Sequence, residues 1–184
     1  MTDSLTGRLL IASPHLMDPN FARSVILLVH HGEQGTLGLI LNRPTDSRID
    51  DFWHNISELP CISSEVLHVG GPVAGPLTAL HTMPNVGNVE VLPGLFFASQ
   101  REILEKLVSQ KKYAYRLFIG HSGWDEGQLP HEMDEGSWLM KPATSEDVFG
   151  DETEVWRRAT EQVGRSILAL APGVGKFPPR PEVN

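Results

Sequence analysis

One segment limits the fold more than any other. Ser24–His31 is apolar and β-branched, uninterrupted from Val25 to Val29, and is followed by Gly32-Glu33-Gln34-Gly35 and a second apolar run, Leu37–Leu41. Such a run without polar alternation reads as a buried strand, and the glycine-bounded spacer reads as a hairpin turn. A chain carrying this hairpin must supply apolar cover for it. The 184 residues suffice for one domain with a sizeable core.

Further strands are expected at Arg8–Ala12, Glu65–Val69, Leu77–His81, Val89–Leu92, Leu95–Ala98, Tyr113–Ile119 and Ser137–Met140. Pro14, Pro19 and Asn20 make 13–20 a loop, and Pro84–Asn88 reads as a turn. Thr45 or Asp46 is expected to cap a short helix carrying Ile49, Phe52 and Trp53. Ser99 and Glu102 have capping-box spacing before a helix whose apolar face is Ile103, Leu104, Leu107 and Val108. Gly120–Gly123 reads as a tight turn leading into a helix near Asp125–Asp134, with Pro130 tolerable only in its first turn. Asp151, with Glu154 three residues on, is expected to cap a last helix that packs through Trp156, Ala159, Val163, Ile167 and Leu170. Strands come early and helices late, so the fold class is α+β rather than alternating α/β. Residues 1–171 are expected to form one domain. Residues 172–184, with Pro172, Pro178, Pro179 and Pro181, are expected to form an irregular tail.

Charge narrows the function. Fifteen Lys and Arg stand against 23 Asp and Glu, a net of −8. Residues 125–154 hold ten acids and only Lys141, a net of −9, so the remainder sums to +1. Direct nucleic-acid binding is disfavoured, because it needs a basic face. The acidic segment reads as a solvated helical face and helix N-termini, with a docking surface or a cation site as the alternatives. No apolar run approaches the roughly 20 residues of a membrane span, and Met1–Thr6 lacks the basic start of an export signal. The chain is therefore read as a soluble cytoplasmic protein. Cys61 is the sole cysteine, which excludes an internal disulfide.

Several separated segments together resemble the YqgE/AlgH family of bacterial proteins. They are Gly7-Arg8-Leu9-Leu10-Ile11-Ala12, Asp18-Pro19-Asn20-Phe21, Arg23-Ser24-Val25, Gly38-Leu39-Ile40-Leu41-Asn42-Arg43-Pro44 and Gly70-Gly71-Pro72-Val73. Phe118-Ile119-Gly120, Gly123-Trp124, Gln128-Leu129 and Gly136-Ser137-Trp138 continue the resemblance. The resemblance implies a compact α+β domain with a mixed, partly closed, barrel-like bifurcated sheet flanked by helices. It also implies a link to transcriptional control, known for one member, and no assigned catalytic residues. Family members commonly carry an aromatic residue and Ala where His121 and Ser122 stand here.

Candidate chemistry sits in loops. Gly120-His121-Ser122-Gly123-Trp124 lies between a strand and a helix, the setting of a nucleophile elbow, but Trp124 fills a position that the cramped turn needs small. Ser122 as a helix cap is the plainer reading. Ser13, His15 and Asp18 are triad residue types in one loop, although Asp18 before Pro19 is better suited to start a turn. Asn42 and Arg43 close a strand, where Arg43 can clamp an anion or pair with Asp18. Gly70–Pro76 lacks the Lys and following helix of a phosphate loop, and reads as a backbone bend. Of eight His, the set His31, His68 and His81 near strand ends invites a metal, yet no His-Glu-x-x-His pattern occurs. Trp124 and Trp138 flank Gln128 and suit a core seam or a binding surface.

The expected function is a non-enzymatic binding or regulatory protein with no cofactor and no metal. Its surface would comprise His15, Asp18, Arg23, Asn42, Arg43, His121, Ser122, Trp124 and Gln128, facing a protein partner or a small polar ligand. The competing reading is a small hydrolase using Ser122 or the His15/Asp18 loop. A homo-oligomer is a third.

Overall fold

The computed structural model describes residues 4–86 and 89–170. Strands β1 (Arg8–Ala12), β2 (Val25–Gly32), β3 (Gly35–Ile40) and β4 (Pro44–Arg48) come first, then helix α1 (Ile49–Trp53). Strands β5 (Val66–Val69), β6 (Thr78–His81), β7 (Val89–Leu92) and β8 (Leu95–Ala98) precede helix α2 (Arg101–Val108). The order then runs β9 (Tyr115–Ile119), β10 (Ser122–Trp124), α3 (Gln128–Asp134), β11 (Trp138–Pro142), α4 (Ser145–Phe149) and α5 (Val155–Leu170). The α+β class holds.

Hydrogen bonding divides the strands between two sheets. One is antiparallel, in the order β10-β3-β2-β1-β11; the other is mixed, in the order β4-β5-β9-β6-β8-β7, with β5 and β9 parallel. No ladder closes either sheet on itself among the described residues.

The apolar run of β2 follows from its central place. Val25, Leu27 and Val29 join Leu39, Leu80, Leu95 and Phe118 in a core shared by both sheets and by α4 and α5. Ile26 and Leu28 point the other way, into a second core under α3 with Trp124 and Trp138. A strand covered on both faces has no position for a polar residue. A third core lies on the far side of the mixed sheet, where α1 and α2 bury Trp53, Ile103, Leu104, Leu107 and Val108.

Several local expectations are corrected. Thr45 and Asp46 do not cap α1, because they lie in β4, which pairs with β5, and the Thr45 hydroxyl donates to the Leu67 carbonyl at 3.0 Å. Arg48 precedes α1 without a side-chain cap. Ser99 does not cap α2 either; Gln100 takes that place, also without a cap bond. Helix α4, absent from the sequence reading, has a full capping box between Thr144 and Asp147. Asp151 accepts from the Thr153 amide and hydroxyl in a turn ahead of α5, which starts only at Val155. Trp156, Ala159 and Val163 pack as expected, but Ile167 is 58% exposed. The expected Pro-rich tail lies outside the described residues.

Candidate functional site

The loop after β1 is shaped by its own polar groups. The Asp18 carboxylate accepts from the Asn20 amide at 2.8 Å, and its carbonyl accepts from the Phe21 and Ala22 amides at 3.0 and 2.7 Å. This is turn initiation by a short acceptor side chain. His15 is exposed, and its amide donates to the Ser13 hydroxyl at 3.4 Å. No hydrogen bond joins the side chains of Ser13, His15 and Asp18 among the described residues.

Arg43 does not pair with Asp18. It donates to the Ala22 carbonyl at 2.6 Å and to the Asn42 carbonyl at 3.4 Å. Asp18 is already used in its turn, while Ala22 precedes Arg23, whose φ of +57° turns the chain and leaves that carbonyl seeking a donor. Asn42 completes the tie, accepting from the Val25 amide and donating to the Arg23 carbonyl, both at 2.9 Å. The Arg23 guanidinium lies 5.7 Å above the Trp156 ring. Arg23, Asn42 and Arg43 thus splice one loop to the end of β3.

Ser122 is neither a cap nor an exposed nucleophile. It lies in β10, fully buried, and its hydroxyl donates to the Gly70 carbonyl at 3.2 Å. The residue before α3 is Gly127, in the left-handed region at φ +77°. The expected turn at 120–123 is shorter than read, because Ser122 and Gly123 pair with Gly38 and Leu37 in the sheet. Gly71 sits against it so closely that a Cβ there would lie 2.3 Å from the His121 carbonyl group. The Gly70–Pro76 segment is therefore a packed bend, held by reciprocal Val73 and His121 backbone bonds of 3.0 and 2.9 Å.

Trp124 and Gln128 belong to a network the sequence did not reveal. Both Trp124 and Trp138 donate their indole N–H to Glu132, at 3.0 and 2.8 Å, and Gln128 donates to its other oxygen at 2.8 Å. Phe21 closes the cluster, 6.3 Å from the Trp124 ring and 5.6 Å from Trp138. One acid of the 125–154 segment, half-buried Glu132, is thereby bonded within the fold. Asp147 is buried outright, 5% exposed and bonded to Lys141 at 2.7 Å.

The three His near strand ends stay apart. His31 accepts from the Leu5 amide, and His81 accepts from the Met83 amide and stacks on Phe96. His68 faces Glu152 at 2.5 Å, with Arg116 3.6 Å from the same oxygen. Burial outweighs Glu152 and pulls the His68 pKa below its ordinary value. No group of three or more His, Cys, Asp or Glu placed to hold a metal occurs among the described residues. Burial pushes the Cys61 thiol up, away from thiolate chemistry.

Of the expected site residues, His121 and Trp124 line an open cleft of about 460 Å³ beside β10. His30, Gln34, Val73 and Asp125 complete its polar and apolar wall. His30, Gln34 and Val73 were not singled out from sequence. For His30 and Gln34 the signal was the break from apolar to polar residues at the end of β2, where the sheet register also shifts between Leu28 and His30; Val73 had no such signal. His15, Asp18, Arg23, Asn42 and Arg43 lie outside this cleft.

Three comparisons bear on kinship. The model of a family described as AlgH-like (DUF179) matches residues 9–168. A UPF0301 protein of Chlorobaculum tepidum is 42% identical over 172 residues, covering 90% of each chain. The solution structure of the AlgH protein from Pseudomonas aeruginosa matches with a TM-score of 0.74 at 28% identity, covering 94% of this chain and 97% of that one. A crystal structure from Corynebacterium diphtheriae matches with a TM-score of 0.66 at 30% identity, covering 85% of each.

Proposed function

The chain belongs to the AlgH-like family, and from that premise we propose that it is a non-enzymatic binding protein whose contact surface is the cleft beside β10. The observation that carries this reading is the division of polar groups between spent and open. Ser122, Asn42, Arg43 and Gln128 are bonded within the fold, whereas His30, Gln34 and Asp125 are exposed around one concavity beside an edge strand. Exposed polar side chains converging on a concavity with an apolar patch, here Leu37 and Val73, suit recognition of a partner. The hydrolase reading asks for a Ser122 hydroxyl that solvent and a base can reach; the hydroxyl is buried against Gly70 instead.

The partner is a protein, and any regulation of transcription runs through that contact rather than through DNA. The chain's charge of −8 supports this, as does Asp125 on the cleft wall. No described helix is long and apolar enough to cross a membrane. The cytoplasm is proposed as the place of action.

The test is photo-crosslinking in the native host, with Val73→p-benzoylphenylalanine at the cleft mouth. One dominant adduct to another protein, lost in the added variant His121→Glu, is the expected result. Self-adducts alone would replace this reading with a homo-oligomer. Adducts unaffected by His121→Glu would remove the cleft from the argument.

A further inference from the structure

The opposite end of the parallel pair carries a second concavity. The cleft beside β10 lies near the carboxyl ends of β5 and β9, whereas a groove of about 590 Å³ opens at their amino ends, beside Glu65 and Tyr115. Its wall holds Lys111, Lys112 and Arg116 against the single carboxylate of Glu65. Residues 106–116 contain four cations and no acid, in a chain of net charge −8.

Lysines just past a helix commonly serve its terminal carbonyls. Here other residues do that work. The Ser109 hydroxyl donates to the Lys106 carbonyl and the Gln110 amide to the Leu107 carbonyl, each at 3.1 Å. Gln110 also donates to the Tyr113 carbonyl at 3.0 Å and accepts from its amide at 2.7 Å, which pins the turn presenting both lysines. Lys112 lies 5.0 Å over the Tyr113 ring, and neither lysine has a carboxylate within ion-pair distance among the described residues. Arg116 is held behind them by the Leu41 and Gly150 carbonyls and pairs with Glu152 at 3.6 Å, so the unpaired positive charge of the groove is that of the two lysines. Ser64 is exposed on the rim, while Ile62 and Phe149 supply apolar wall.

We propose that this groove binds a small phosphate monoester, its phosphate between Lys111 and Lys112 and its organic part against Ile62 and Phe149. Two lysines on consecutive residues of the groove wall, neither bound to a carboxylate among the described residues, match the two negative charges of a phosphate monoester better than the one charge of a carboxylate. The pinned turn lowers the ordering cost of binding. This site is independent of the cleft beside β10.

The test is a titration of the ¹⁵N-labelled full chain with phenyl phosphate, inorganic phosphate and phenol, read by amide resonances. Phenyl phosphate should shift Ser63–Glu65 and Lys111–Arg116 saturably, inorganic phosphate more weakly, and phenol not at all. K111E/K112E should weaken binding about tenfold or more while the remaining spectrum stays folded. K111A/K112A should show an intermediate loss. Shifts spread over other surface cations, shifts that survive in K111E/K112E, equal affinity for inorganic phosphate, or no saturation by about 10 mM would each overturn the proposal.

Discussion

Trp124 and Trp138 stand on opposite edge strands of the antiparallel sheet, yet their indole N–H groups converge on one oxygen of Glu132. The two rings meet edge to face at 5.9 Å, with Phe21 packed on both. A carboxylate from α3 thus spans the sheet that α3 covers. Glu132→Ala would leave two mostly buried donors without a partner and should cost about 3 kcal/mol. Glu132→Gln keeps an acceptor oxygen and should cost about 1 kcal/mol. Urea denaturation of both variants checks the difference; equal costs would mean that packing, not the shared acceptor, holds α3.

Asp147 is buried and accepts from the Lys141 ammonium, the Thr144 amide and the Thr144 hydroxyl, at 2.7, 3.0 and 2.9 Å. Asp147→Ala removes the capping box and strands Lys141, and should cost about 3 kcal/mol. Lys141→Met should cost less than Asp147→Ala, because both Thr144 donors remain and Arg158 lies 3.6 Å away. A denaturant-based double-mutant cycle reads the coupling between them.

His68 should give stability a pH dependence of defined sign. Burial lowers its folded-state pKa from the ordinary 6.5, against the opposing pull of Glu152 and with the aid of Arg116. The unfolded chain then binds the proton more readily. The contribution is full above about pH 6.5 and is lost as pH falls through the folded value. Denaturation midpoints followed from about pH 7.5 to about pH 5 should fall in the parent chain and flatten in His68→Gln. An imidazole resonance of His68 titrating above 6.5 would reverse the prediction.

Gly71 and Gly94 share positive φ, at +155° and +76°, but differ in surroundings. A Cβ at Gly71 meets the His121 and Ser122 backbone at 2.3–2.4 Å, whereas at Gly94 it meets nothing within 4 Å. Gly94→Ala should cost about 1 kcal/mol for conformation alone. Gly71→Ala must part the two bends and should cost more than about 3 kcal/mol. Thermal unfolding of both variants separates strain from collision.

Where a residue's partner lay close along the chain, the sequence was readable. The Asp18 turn needs only Asn20, Phe21 and Ala22, and the buried face of α2 repeats at helical spacing. The strands of the 24–41 hairpin fell within two residues of their observed bounds. Caps were less readable. Ser99 and Thr45 had suitable side chains, but β4 claimed Thr45 and the cap position of α2 fell to Gln100, one residue after Ser99. Helix α4 was missed because five residues show no period, although Thr144 and Asp147 have capping-box spacing. At the candidate site, His121 and Trp124 were found through the glycines around them, while His30, Gln34 and Val73 came from three other segments.

By itself the sequence determined most of the elements, though not β4, β10 or α4, together with the buried hairpin, the family and the Asp18 turn. Each of these depends on side-chain pattern over a few neighbouring positions. Only the tertiary structure decided which polar groups are spent and which are open. Arg43 took the Ala22 carbonyl rather than Asp18, and Ser122 took Gly70. Glu132 took two tryptophans from opposite sheet edges, while Lys111 and Lys112 kept no carboxylate within ion-pair distance among the described residues. The physical reason is range. Periodicity acts between neighbours in the chain, whereas a hydrogen bond forms with whatever group packing brings within about 3 Å.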